Sequence, residues 1–182
     1  MRRAGESFGG SVVISAIATM LLLIAITGAR RPVQPQNSGA PPWPAPRSVT
    51  AGVQLAGLTL GNAPGVVTRY AVHVDVLMDG KPVPVPSGVG VDWAAREIAP
   101  LYTGDGSGVV HVDSDLVAPR FTLGEFFAEW QVPLVNATAF VNGSPRSGDP
   151  GAIVLTPHAE IAVAFGSPGT GIPDRYVFPG GE

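Results

Sequence analysis

Two His-x-Asp pairs are the side chains of this sequence whose types and spacing could do chemistry. One pair is His73 and Asp75, and the other is His111 and Asp113. Residues i and i+2 of an extended strand lie on the same face, so each pair would present an imidazole and a carboxylate together. If the two strands are neighbours, the four side chains form a candidate site for Zn²⁺ or Cu²⁺. The interpretation that we favour from the sequence is a hydrated sheet face without a cofactor, on which polar residues alternate with core valines.

Nucleophilic chemistry has less support in the sequence. The chain contains no cysteine, which excludes disulfides, thiolate metal sites and cysteine nucleophiles. Ser107, His111 and Asp105 have the residue types of a hydrolase triad. However, Asp105 stands where a Gly-x-Ser-x-Gly motif requires its first glycine. We therefore expect that the protein is not an enzyme.

The first His-x-Asp pair needs a strand to position it. Residues 66–78 alternate strongly, with valines on one face and the His73 pair on the other, which predicts a strand. Asp79-Gly80 predicts a type I′ hairpin turn, and the proline-rich return, residues 81–91, predicts an edge strand. Val49–Leu60 alternates less perfectly, and we predict that it is also a strand.

One helix is predicted among the later strands. Thr122 and Glu125 form a capping box at the start of Phe121–Trp130, and Glu125 and Glu129 lie off its apolar stripe. Further strands are predicted at Ile98–Thr103, Val109–Asp113, Ala137–Val141, Ala152–Leu155 and Glu160–Phe165. This order predicts an α+β fold with a small, mainly antiparallel sheet and one short packed helix, for which our interpretation is a β-grasp-like arrangement.

An uncharged apolar stretch, Ser11–Ala29, lies near the start of the chain between Arg2-Arg3 and Arg30-Arg31. A helix of this length spans about 28 Å, which is close to the ~30 Å hydrocarbon core of a bilayer. The stretch therefore predicts a transmembrane helix that contacts membrane lipid. A signal peptide cleaved near the small residues Thr27–Ala29 is the alternative.

The predicted organisation follows from this span. Its parts are a cytoplasmic head (1–10), the transmembrane helix (11–29), a proline-rich linker (30–48), an α+β extracytoplasmic domain (49–166) and a Gly/Pro-rich tail (167–182). The prolines of the linker predict an extended polyproline-II spacer, and the composition of the tail predicts a loosely attached segment.

The charge distribution narrows the class of partner. Four of the eleven basic residues flank the apolar stretch, whereas thirteen of the fourteen acidic residues follow it. An acidic domain is a poor ligand for a phosphate backbone. We therefore expect no nucleic-acid partner.

Several stretches together carry a resemblance to a protein family. They are Asp79–Val83, Pro86–Gly90, Ser107–Ser114, Phe121–Phe127, Phe140–Gly143, Leu155–Ile161 and Tyr176–Pro179. From about Tyr70 to the C-terminus, the chain resembles a family of uncharacterised exported or membrane-anchored proteins of actinobacteria and some archaea. The resemblance implies an extracytoplasmic location and no activity that can be named. Its members look histidine-rich in two places, of which His73, Asp105 and His111 are the positions that carry over here.

We therefore expect a single-pass membrane-anchored extracytoplasmic protein. Its domain would be a non-catalytic interaction module that contacts another protein of the cell envelope. The alternative is an envelope module that binds a divalent metal ion through the His-x-Asp pairs.

Overall fold

A computed structural model of the protein describes residues 35–61 and 66–180, which form an α+β fold, as the sequence predicts. The predicted membrane span, with its ends at Ser11 and Ala29, lies outside these residues. Neither α-helix of the described residues combines the length and hydropathy that crossing a bilayer requires.

The secondary structure consists of short elements around one long strand, β1 (Thr68–Met78). In chain order they are α1 (Val49–Leu55), β1 (Thr68–Met78), β2 (Lys81–Val83), β3 (Val91–Asp92), β4 (Glu97–Ile98), β5 (Leu101–Tyr102), β6 (Val109–Ser114), α2 (Leu123–Trp130), β7 (Ala137–Val141), β8 (Ser144–Arg146), a 3₁₀ turn (Pro150–Ala152) and β9 (Glu160–Phe165).

A mixed sheet organises these elements. Its strand order is β5-β6-β1-β9-β7-β8, and β2 pairs with the end of β1 beyond β6. The central pair, β1 and β9, is parallel, with a register from His73↔Glu160 to Met78↔Phe165. The other strand pairs of this sheet are antiparallel, so the predicted antiparallel character is confirmed for most of it. Strands β3 and β4 form a separate two-stranded hairpin.

Two tight turns set the register of the hairpins. Asp79-Gly80 joins β1 to β2, and Asn142-Gly143 joins β7 to β8. All four residues have positive φ, between 50° and 75°, as a type I′ turn requires. Strand β2 follows the first turn as an edge strand but ends at Val83, since the next residue is Pro84, which has no N–H for the ladder.

Two of the strands predicted after β1 differ in the structure. The prediction of a continuous strand Ile98–Thr103 is wrong because Pro100, which lacks an N–H, separates β4 from β5, and these two strands belong to different sheets. The prediction of a strand at Ala152–Leu155 is also wrong. Pro150 starts a 3₁₀ turn there, and only Val154 forms an isolated bridge, with Thr122.

Helix α2 packs on one face of the sheet and contains the predicted capping box. The Thr122 N–H donates to Glu125 at 2.6 Å, and the Glu125 N–H donates to the Thr122 hydroxyl at 3.3 Å. Its apolar side chains, together with valines of β1 and β6, form the core. Glu129, which the sequence places off the apolar stripe of this helix, is nevertheless buried.

A second helix packs against α2 at Glu129. Residues 49–55 form α1, so the prediction of a strand over Val49–Leu60 is wrong. Ser48 caps this helix by accepting a hydrogen bond from the Ala51 N–H at 3.2 Å. Gly52 of α1 lies directly against the Glu129 carbonyl, so α1 covers the face of α2 that a one-helix fold would leave to solvent.

Residues 35–48 are packed against the domain, which differs from the extended spacer that the prolines predict. The Trp43 side chain is only 6% exposed, with its ring centroid 5.9 Å from that of Trp130 and 5.2 Å from that of Phe165. The Asn37 amide donates to the Trp130 carbonyl at 2.8 Å, which satisfies a carbonyl at the C-terminal end of α2. This part of the predicted linker therefore belongs to the folded unit.

The tail also packs against the sheet, instead of being loosely attached. The Tyr176 ring stacks on the His73 ring, with centroids 3.9 Å apart and planes at 6°. The Phe178 ring lies 5.0 Å from that of His158. The described part of the tail therefore covers the face of the sheet that is opposite α2.

Candidate functional site

Three titratable side chains meet on the sheet face that the tail covers. We call His73, Asp75 and Glu160 the polar cluster. His73 and Asp75 lie on one face of β1, and the parallel register places Glu160 of β9 beside His73. One ligand atom from each of the three residues lies within 4.8 Å of the others. Among the described residues, this is the group of His, Asp and Glu side chains that could hold a metal ion.

The contacts of His73 define its protonation. Its Nδ1 lies 2.8 Å from Glu160 Oε2 and 3.6 Å from Asp75 Oδ2, and its Nε2 lies 2.8 Å from the Ser107 carbonyl oxygen. A carbonyl oxygen accepts only, so Nε2 carries a proton and donates it to Ser107. The contact of Nδ1 with a carboxylate oxygen then requires a second proton between them, on either the imidazole or Glu160.

Burial and neighbouring charges act in opposite directions on the pKa values of His73 and Glu160. Burial opposes a positive charge on His73, but the hydrogen bond and the negative charge of Glu160, the Ser107 carbonyl and Asp75 together raise the pKa of His73 above its ordinary value. Burial raises the pKa of Glu160, although the contact with His73 acts against this shift. Both directions favour retention of the proton that His73 and Glu160 share.

The backbone and the tail enclose the cluster on two sides. Tyr176 lies flat on the His73 ring. Gly108 lies so close that a Cβ there would be 2.7 Å from the Val74 carbonyl oxygen and 2.9 Å from His73 Nε2. Its φ of +89° is also a conformation that favours glycine. On the remaining side, Asp75 is partly exposed and borders a cavity of about 290 Å³.

The structure brings together two of the four predicted ligands. Strands β1 and β6 are neighbours, as the metal hypothesis requires, but their register sets His111 opposite Ala71 and not opposite His73. The His111 ring stacks on Tyr102, at 4.9 Å between centroids. Asp113 accepts two hydrogen bonds from Arg69, at 2.9 and 2.8 Å. The group of converging ligand atoms therefore contains His73 and Asp75 with Glu160, and not His111 or Asp113.

Glu160 is the member of the cluster that sequence reasoning missed. Its one signal is a charged residue at the start of the otherwise apolar run EIAVAF. A lone charge at a strand end is usually solvent-exposed. Its importance depends on the pairing of β9 with β1, which joins residues 87 positions apart.

Ser107 supports the polar cluster through its backbone carbonyl and through a local turn with Asp105. Its hydroxyl lies 2.5 Å from Asp105 Oδ1, and the same carboxylate oxygen accepts the Ser107 N–H at 2.9 Å. The hydroxyl therefore donates directly to a carboxylate, whereas a Ser-His-Asp triad places an imidazole between the two. This contact orders the Gly104–Gly108 loop, which holds the carbonyl that His73 uses.

Comparisons of the chain with protein-family models, with curated proteins and with solved structures gave no match. The family resemblance of the sequence therefore stays a prediction.

Proposed function

We propose that this protein is a single-pass membrane-anchored extracytoplasmic protein whose domain binds another protein of the envelope without catalysis. The observation that carries the proposal is the uncharged Ser11–Ala29 stretch between its two arginine pairs. The resemblance to exported or membrane-anchored proteins supports the extracytoplasmic side.

An exposed aliphatic patch on the domain supports the interaction role. Val67, Leu116 and Val117 have exposed fractions of 61%, 58% and 83%. The Thr68 hydroxyl lies 2.7 Å from the Leu116 carbonyl oxygen and 3.1 Å from that of Val117, which holds the patch together. Grouped exposed apolar residues of this kind often mark a surface that contacts another protein.

We further infer that the sheet is β-grasp-like. The first and last long strands, β1 and β9, are the parallel central pair, and each has an antiparallel neighbour, β6 and β7. Helix α2 follows β6 in the chain and precedes β7. This order of strands and helix supports the assignment, which by itself implies no activity.

Fractionation of cells that express the full-length chain tests the location. We expect the protein in the membrane fraction and expect protease added to intact cells to remove the domain. A matched chain in which Ser11–Ala29 is deleted should be found in the aqueous fraction, because it lacks the apolar segment. A full-length, uncleaved chain in the aqueous fraction, or a domain protected from protease in intact cells, would contradict the proposal.

Site-specific photo-crosslinking tests the interaction role. A crosslinking residue at Val117 should give one defined adduct in membranes, whereas one at Val177, which is also highly exposed, should not. Val177 lies outside the patch and therefore controls for random collisions. Equal labelling from both positions, or no adduct from Val117, would argue against a partner at this surface.

A further inference from the structure

We propose that the polar cluster of His73, Asp75 and Glu160 is a binding site for one Zn²⁺ ion. This inference goes beyond the proposed interaction role and does not depend on where the protein is located. It rests on the orientation of the imidazole, on the buried carboxylate oxygen that has no partner and on the distances from Nδ1 to the two carboxylates.

The imidazole is oriented as in a metal site. The Nε2 proton is committed to the Ser107 carbonyl, at 2.8 Å, so Nδ1 is the ring nitrogen left to bind a metal ion once the ion displaces the proton that Nδ1 shares with Glu160. A histidine that binds a metal commonly donates its other ring N–H to a backbone carbonyl, which fixes the tautomer. The Asp105–Ser107 turn and Gly108 hold this carbonyl in place.

The carboxylates present more negative charge than the described contacts neutralise. Glu160 is almost fully buried, and its Oε1 has no hydrogen-bond partner. Asp75 Oδ2 lies 3.6 Å from Nδ1, within the same 4.8 Å group. A buried, unpartnered carboxylate oxygen is unfavourable, and a divalent cation at this position would compensate both acidic groups.

The two distances from Nδ1 to the carboxylate oxygens are close to the ligand spacing around a small cation. Two ligands at ~2.0–2.1 Å from zinc in a tetrahedral arrangement are ~3.3 Å apart. The distances of Nδ1 to the two carboxylate oxygens, 2.8 and 3.6 Å, lie on either side of that value. A shift of about half an ångström by Glu160 would therefore open the position that the shared proton now holds.

The ligand set indicates the class of metal. One imidazole nitrogen and two carboxylate oxygens suit Zn²⁺, whereas Mg²⁺ and Ca²⁺ prefer oxygen ligands alone. Three protein ligands leave a fourth position free. The partly exposed side of Asp75 and the cavity of about 290 Å³ next to it provide access for the ion and for a water ligand.

Calorimetric titration of the chelator-treated full-length chain with ZnCl₂ tests the site. We expect one ion to bind per chain and the thermal unfolding midpoint to rise with ZnCl₂ concentration, because the ion binds the folded state. Asp75→Asn should weaken binding at least ~10-fold, since even changes in the outer shell of a metal site cost 10- to 100-fold. The partial exposure of Asp75 makes this variant compatible with folding, which circular dichroism would check.

Asp113→Asn is the matched control, because Asp113 belongs to the same sheet face but contacts Arg69 instead of the cluster. It should bind Zn²⁺ as the unaltered chain does. Glu160→Gln, which preserves the size of the side chain, should lose binding as Asp75→Asn does. The proposal is overturned if the unaltered chain binds no stoichiometric Zn²⁺, or if both cluster variants bind as tightly as Asp113→Asn.

Discussion

Glu129 is the most unusual single residue outside the polar cluster. It lies in α2, and both of its carboxylate oxygens are buried without a hydrogen-bond partner in the described residues. Burial, with a smaller contribution from the negative charge of Glu125, raises the pKa of Glu129 well above its ordinary value. The side chain therefore stays neutral at pH values where an exposed glutamate is ionised.

This shift predicts a pH dependence of stability. The pKa of Glu129 is higher in the folded state than in the unfolded chain. The contribution of its protonated side chain to the free energy of unfolding is therefore fully present below the unfolded-chain pKa of 4.5. It is lost progressively as the pH rises towards the folded value. In Glu129→Gln, which cannot ionise, we expect the free energy of unfolding to fall less between pH 5 and pH 9. Urea unfolding at a series of pH values measures this slope.

Asp115→Asn provides the control for that measurement, because Asp115 is exposed. This variant should keep the slope of the unaltered chain. A Glu129→Gln slope equal to that of the unaltered chain would show that Glu129 ionises normally in the folded state.

Structural features of single residues could be predicted from the sequence where they depend only on neighbouring residues in the chain. The Asp-Gly and Asn-Gly turns and the Thr122–Glu125 capping box each depend on residues within a few positions of one another. Two of the three residues of the polar cluster were predicted for the same reason, since His73 and Asp75 share a strand. Glu160 could not be assigned in this way because its neighbour is 87 positions away.

At the scale of elements, the contact of α1 with α2 depends on one glycine. A Cβ on Gly52 would collide with the carbonyl oxygen of Glu129, so the two helices touch backbone to backbone at this point. Glycine in a helix otherwise costs ~0.5–1 kcal/mol relative to alanine. The close approach therefore gives Gly52 a packing role that outweighs its poor helix propensity.

Gly52→Ala should accordingly destabilise the protein, by about 1–3 kcal/mol, which is the usual cost of overpacking. Helix propensity alone predicts the opposite sign. Gly39→Ala is the control, since a Cβ at Gly39 has nothing within 4 Å, and it should leave stability within ~0.5 kcal/mol. Chemical denaturation of both variants gives the comparison. A stabilised Gly52→Ala variant would show that the helices are not in close contact.

The segment 35–48 provides a second test at this scale. Trp43 is buried in the core, whereas Trp93 in the β3–β4 hairpin is 72% exposed. Trp43→Ala should cost about 3–5 kcal/mol in unfolding free energy, as for other buried tryptophans. Trp93→Ala should change it by less than ~0.5 kcal/mol. Equal effects in thermal or urea unfolding would mean that residues 35–48 do not pack on the domain.

The predictions for α1 and for residues 35–48 were wrong for the same physical reason. Both α1 and residues 35–48 make contacts with α2 that their own sequence patterns do not reveal. Proline composition alone predicted an extended spacer, but Trp43 buries its ring against Trp130 and Phe165. The imperfect alternation of Val49–Leu60 predicted a strand, and tertiary packing overrode this weak local preference.

At the scale of the whole molecule, the two ends of the described chain close over opposite sides of the sheet. Residues 35–48 pack against α2, and the tail crosses the face that carries the polar cluster. The α+β class was predictable from the order of strand and helix signals. The parallel pairing of β1 with β9 was not, because no local signal records which strands become neighbours.

The tail can be tested by comparing two adjacent residues. Tyr176 stacks on His73, whereas the neighbouring Val177 is largely exposed. Tyr176→Ala should lower the free energy of unfolding by about 1–3 kcal/mol, through lost burial and lost stacking. Val177→Ala should stay within ~0.5 kcal/mol. Similar values for the two variants, measured by thermal unfolding, would show that the tail is detached.

The position of β9 also determines when the domain can fold during its synthesis. Strand β9 fills the centre of the sheet, between β1 and β7, but among the strands of residues 35–61 and 66–180 it is the last to be synthesised. At a rate of ~5–20 residues per second, a nascent chain that contains β1 waits several seconds with one edge of this strand unfilled. The central pairing of β1 with β9 therefore forms only after Glu160–Phe165 have been synthesised, and a chain that stalls or terminates before them leaves that edge open to pairing with another molecule.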